Sequence, residues 1–118
     1  MVALVLFSFG VQPPPVQASQ LTTDDLKVLA VSIATADHLQ VNRFVTVIEC
    51  ESQFNPATVG DYGTSFGIAQ FHNLKEWGMT RADAEDPYVA LPRMAVAWEH
   101  HQEFRWSCYR KLYGADTS

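Results

Sequence analysis

The stretch VTVIECESQFNP, residues 45–56, carries two glutamates on either side of a cysteine at the end of an apolar run. Together with Phe44, the residues Val47, Ile48 and Glu51 fall at i, i+3, i+4 and i+7. That spacing is one face of an amphipathic helix, and it places Glu51 on the same stripe as the apolar side chains, at its C-terminal end. Glu49 lies about 200° round the helix, where it is expected to face solvent or a groove edge. A carboxyl at the mouth of an apolar face loses hydration, which raises its pKa and keeps it protonated near neutral pH. This is what a general acid requires. The periodicity equally allows Glu51 simply to end the helix with its carboxylate in water.

Outward from this helix the sequence reads as all-α. LTTDDLKVLAVSIATADHL precedes it, with Thr23 as N-cap, Asp24 and Asp25 in the first turn, and Leu26, Leu29, Ala30 and Ile33 at helical spacing. The central helix, VNRFVTVIECES, takes Asn42 as its cap. QFNPATVGDYGTS is a loop by its Asn, Pro, Gly and Asp content, and FGIAQFHNLKEW reads as one or two short helices. Asp86-Pro87 is a cap followed by a first-turn proline, opening a longer helix in whose first turns Pro92 falls or forces a kink. WSCYRKLYG reads as a final short helix tied back through Cys108. No segment alternates with period two for long enough to be a strand.

With 118 residues, 47% hydrophobic and 18% charged, one globular domain is expected. Residues 1–18 stand apart from it. An apolar run from Val2 to Phe9, a proline break, and Val16 and Ala18 at −3 and −1 match a secretory signal cleaved after Ala18, without a charged n-region. The apolar run is far short of the roughly 20 residues a spanning helix needs. Residues 19–118 would then form the exported domain, with no membrane span in the mature protein. Two cysteines, Cys50 and Cys108, without metal-type spacing, read as a structural disulfide in an exported domain; two buried free thiols are the other reading. A net charge of −5 and a pI near 5.2 argue against nucleic acid as a partner.

The segment after Glu51 adds a resemblance. Glu51-Ser52, the aromatic Phe54, Asn55-Pro56, and then Gly63, Ser65, Gly67, Ile68 and Gln70 resemble the soluble lytic transglycosylase (SLT) domain and its relative, goose-type lysozyme. The resemblance runs from about Leu26 to Met94. It implies a small, lysozyme-like α fold and cleavage of the β-1,4 bond between N-acetylmuramic acid and N-acetylglucosamine in peptidoglycan glycan strands. It also implies Glu51 as the single catalytic acid/base, with Ser65, Gln70, Ile68 and the backbone at Gly67 lining the sugar groove. A 1,6-anhydro product, a monomer and no cofactor or metal go with it. Asp61 stands where goose-type lysozymes place an acidic residue, which makes an inverting hydrolase the alternative, because inversion needs a second carboxylate roughly 6.5–9.5 Å away. A turn-forming Asp in a glycine-rich loop explains Asp61 as well. The sequence departs from the family in having Ala90-Leu91 for an Asn-Ile pair and WSCYRKLYG for a Tyr-Asn-x-Gly segment, leaving Tyr109 and Tyr113 as substitutes for its tyrosine.

Other constellations are weaker. GTSFG fits the nucleophile-elbow pattern around Ser65, with Asp86 and His100 following in hydrolase order, but a loop rather than a strand precedes it. Glu99, His100, His101 and Glu103 lack zinc spacing and read as a solvated face. His72 falls near the groove without an assigned role. Trp77, Trp98, Trp106, Phe54 and Phe71 are expected in the core, whereas Tyr62, between the two motif blocks, is the candidate to stack on a sugar ring. A catalytically inactive glycan-binding or structural module is the non-enzymatic alternative.

Overall fold

Thr22 and Asp25 decide where the protein first turns helical. The computed structural model describes residues 20–114; the segment 1–18, expected to be a leader, lies outside the described residues. Helix α1 spans Thr23–Ala36, and its N-cap is Thr22, one residue earlier than expected. Thr22 Oγ1 accepts from the Asp25 N–H at 3.1 Å, and the Asp25 carboxylate accepts from the Thr22 N–H at 3.0 Å. A reciprocal box needs a side-chain acceptor three residues on. Asp25 supplies that acceptor for Thr22, whereas Thr23 would have only Leu26, which is buried in the core.

Helix α2 spans Val41–Ser52 and begins after Gln40 rather than at an Asn42 cap. His38 leaves α1 in the left-handed conformation, and Leu39 N–H bonds back to Ala34 C=O at 2.9 Å. The helix thus restarts before Asn42 and has no side-chain cap. Phe44, Val47 and Ile48 of α2 are fully buried against Leu26, Ala30 and Ala34 of α1. Leu29 and Ile33 are partly buried at the edge of the same core.

Between residues 59 and 72 lies a small antiparallel sheet that the sequence does not announce. Its strands, β1 (Val59–Gly60), β2 (Ser65–Phe66) and β3 (Phe71–His72), lie in the order β1-β2-β3. Gly60 faces Ser65, and Ser65 faces His72. Two-residue strands are too short to show a period-two pattern. Gly67 and Gln70 have positive φ and reverse the backbone where a helix was expected, and Asp61, Tyr62 and Gly63 do the same within the expected loop. Helix is confined there to α3 (Leu74–Trp77).

Helix α4 (Arg81–Glu85) starts with a second capping box, Thr80 with Asp83. Helix α5 (Pro87–Glu99) opens as expected: the Asp86 carboxylate accepts from the Tyr88 N–H at 2.9 Å, Pro87 is in the first turn, and Pro92 sits inside the helix. Ala90, Leu91, Met94 and Trp98 of α5 complete the core, with Trp98 edge-on to Phe44 at 5.2 Å between ring centres. A 3₁₀ turn at Glu103–Arg105 leads into α6 (Ser107–Tyr113). Cys108, in the first turn of α6, is disulfide-bonded to Cys50 of α2, with their Cα atoms 6.0 Å apart. The described residues are mainly helical and form one domain. None of the described helices is long and apolar enough to cross a membrane.

Candidate active site

Glu51 emerges from α2 one residue before its end. Gln53 then takes the left-handed conformation, its N–H bonding to Glu49 C=O at 2.9 Å, and Phe54 follows at φ 60°. Two successive left-handed residues, one of them aromatic, are costly and persist only when the surroundings fix them. Here the phenyl ring of Phe54 is driven into the core at 1% exposure. Ser52 locks the junction from the other side, donating from Oγ to Ile68 C=O at 2.6 Å. The Glu-Ser pair therefore divides its labour: Ser52 anchors the helix end, and Glu51 is left at the surface of the opening.

Glu51 lies in the walls of two cavities, and no other residue is shared between them. The larger, about 1020 Å³, is bounded by Thr23, Leu26, Phe54, Pro56, Thr58 and Glu85 among others. The smaller, about 500 Å³, is bounded by Asp61, Gln70, His72, Trp77, Arg105 and Trp106 among others. A polymer laid across both would pass over this carboxyl. Glu51 is half-buried, and its Oε2 accepts from the Cys108 N–H at 3.1 Å. Burial pushes its pKa up; the Cys108 N–H pulls it down, the Asp61 charge raises it further, and Lys111 and Arg110 lower it, with burial prevailing. Glu49, by contrast, is exposed and pairs with Lys27 at 3.8 Å.

Asp61 occupies the same cavity wall as Glu51, at the turn between β1 and β2. Its carboxylate accepts from Ser65 Oγ at 2.5 Å, and its backbone carbonyl accepts from Thr64 Oγ1 at 2.7 Å. It is both a turn residue and a second carboxylate facing the site. Gln70 also reaches this wall, but its Nε2 donates to Thr58 C=O and Gly67 C=O, both at 2.9 Å, so it braces the loop.

Four of the groove candidates lie outside both cavity walls. Ser65 is fully buried, and its hydroxyl is turned toward Asp61 and His72, not toward the opening. Ile68 is fully buried in the core, because a branched apolar group gains more there than on a wet wall. Gly67 is packed against α4, where an added Cβ would stand 1.8 Å from Ala84 C=O. Tyr62, at the tip of the β1–β2 turn, is fully exposed and in neither wall. The Ser-x-Gly-hydrophobic segment thus builds the frame of the site and not its lining. Tyr109 and Tyr113 lie outside both walls too; Tyr109 accepts from the Arg43 guanidinium at 3.0 Å.

Residues without an expected site role also line the smaller cavity. Trp106 and Ser107 stand in the wall beside Glu51, with Trp106 Nε1–H donating to Ala69 C=O at 2.8 Å. Arg105 stacks on Trp77 with its guanidinium 4.0 Å from the ring centre and pairs with Glu76 at 3.1 Å. The available signal was the disulfide: once Cys108 is joined to Cys50, its neighbours fall next to Glu51. The nucleophile-elbow reading has no support in the geometry, since Ser65 is interior and Asp86 caps α5. Among the described residues no group of three or more His, Cys, Asp or Glu side chains could hold a metal ion.

No family model, curated protein or solved structure matches this protein. What the site can do is therefore read from its own chemistry.

Proposed function

We propose that the protein is an exported, monomeric peptidoglycan lytic transglycosylase of lysozyme-like fold, resembling the SLT domain, with Glu51 as its acid/base. One observation carries this reading: a half-buried carboxyl with a raised pKa lies where two cavities meet, with one oxygen pinned by the Cys108 N–H. A protonated Glu51 gives its proton to the glycosidic oxygen between the two sugars as that bond breaks. The resulting carboxylate keeps the Cys108 N–H as a partner and takes the proton of the muramic 6-hydroxyl, which closes on C1. The product is a 1,6-anhydro sugar, and one carboxyl suffices. Two cavities that share the acid in their walls suit a polymeric substrate. The disulfide fits an oxidising compartment outside the cytosol.

A second reading has its own observation. Asp61 shares the smaller cavity with Glu51, and its charge raises the Glu51 pKa. In an inverting muramidase it would activate water. Mass spectrometry of digested murein separates the two. Anhydro-muramic ends are expected from transglycosylation, reducing ends would replace it with hydrolysis, and an absence of products would leave a glycan-binding module.

A further inference from the structure

We propose that Asp61, Ser65 and His72 form a hydrogen-bonded relay that fixes His72 as its Nδ1–H tautomer. Nε2 then becomes a lone-pair acceptor on the cavity wall for a ligand hydroxyl or amide N–H. The antiparallel register sets Ser65 directly opposite His72. The buried Ser65 Oγ has two polar side-chain neighbours, Asp61 Oδ2 at 2.5 Å and His72 Nδ1 at 3.2 Å. A hydroxyl owns a single proton, and an ionised carboxylate can only accept. The serine proton is therefore committed to Asp61, and what remains on Oγ is a lone pair. Nδ1 of His72 must supply the hydrogen of the second bond. In a neutral imidazole this leaves Nε2 without a proton.

The ring itself is exposed and lines the smaller cavity, and no group among the described residues bonds Nε2. Its charged neighbours in that wall are Glu51, Asp61, Arg105 and Arg110. The two guanidiniums present only hydrogens, and Oε2 of Glu51 is already held by the Cys108 N–H. Of these titratable groups, His72 joins Asp61 in offering an acceptor to the hydroxyl and acetamido N–H groups of an N-acetylated saccharide. Ser65 is the positioning residue, and His72 is the one that meets the ligand. The saccharide assignment rests on the proposed function; the tautomer does not.

The intact, disulfide-bonded protein, labelled with ¹⁵N, tests both parts. At about pH 8, where histidine rings are neutral, long-range ¹H–¹⁵N correlations are expected to show His72 protonated at Nδ1. Ser65→Ala should move it to the Nε2–H form that imidazole prefers in water. A wild-type spectrum with Nε2–H overturns the relay, and this measurement stands even where the serine variant fails to fold. Chitotetraose added to Glu51→Gln should then shift the His72 Nε2 signal upfield. His72→Phe should raise KM about three- to tenfold with kcat nearly unchanged, the effect of losing one hydrogen bond. An Nε2 signal unmoved by chitotetraose, or an unchanged KM, overturns the acceptor role. Absence of murein products would remove the glycosidase reading and leave the tautomer result in place.

Discussion

The backbone N–H of Cys108 lies 3.1 Å from Oε2 of Glu51, a residue 57 positions earlier in the sequence. The covalent link beside it explains the meeting, since the Cys50–Cys108 bond docks the first turn of α6 against the end of α2. A donor to one carboxyl oxygen favours the ionised form, yet burial of Glu51 outweighs it. The same peptide group thus orients the acid without forcing it to ionise.

Glu51→Gln keeps an oxygen for the Cys108 N–H and removes the transferable proton. Murein cleavage is expected to fall at least about a hundredfold, with the helical circular-dichroism spectrum unchanged. Retained turnover in this variant, measured by release of soluble muropeptides, would assign the chemistry to another group.

The pH dependence has a fixed sign. Folding raises the Glu51 pKa above its ordinary 4.5, so the ionised form is penalised only in the folded protein. The folded state keeps its full advantage below 4.5 and loses part of it as pH rises through the raised value. Glu51→Gln should therefore be more stable than wild type at neutral pH, with the difference vanishing below 4.5. Urea midpoints across this range measure it. Cleavage should in turn fall off on the alkaline side as the same carboxyl loses its proton.

The disulfide closes a loop of 58 residues. Reduction, or Cys50→Ser with Cys108→Ser, should lower stability by about 4 kcal/mol by the loop-entropy account. Activity should decline alongside, because α6 is then free to carry the Cys108 N–H away from Glu51. Denaturant midpoints and murein turnover, each with and without reductant, read the two effects separately.

Gly63 and Gly67 both have positive φ, 93° and 85°, but differ in surroundings. An added Cβ at Gly63 meets nothing within 4 Å, whereas at Gly67 it would overlap Ala84 C=O. Gly63→Ala should cost about 1 kcal/mol from backbone strain alone. Gly67→Ala should cost several times as much, because β2 and α4 must move apart. Thermal melts of the two variants compare them directly, and equal losses would mean that the β2–α4 contact yields freely.

Much of the helical frame was legible because its signals are local. Phe44, Val47, Ile48 and Glu51 share a stripe that any α-helix would generate, and Asp86-Pro87 is a start signal within two residues. The caps slipped by one or two positions, since Thr22 and Thr23 differ only in what stands three residues later. The sheet was invisible because its geometry depends on positive φ at non-glycine residues such as Asp61, Tyr62 and Gln70, held by tertiary contacts. For the same reason the Ser65 and Ile68 side chains were assigned to the groove when they point inward. The Arg105–Trp106 wall needed a contact spanning half the domain, which spacing within one segment does not encode.

The rings of Trp77 and Trp106 lie 5.6 Å apart in the wall of the smaller cavity, which Trp98 does not line. Indole emission follows the polarity around the ring, so a guest displacing water there changes the colour and brightness of two fluorophores out of three. The protein carries its own optical gauge of occupancy, with no label required.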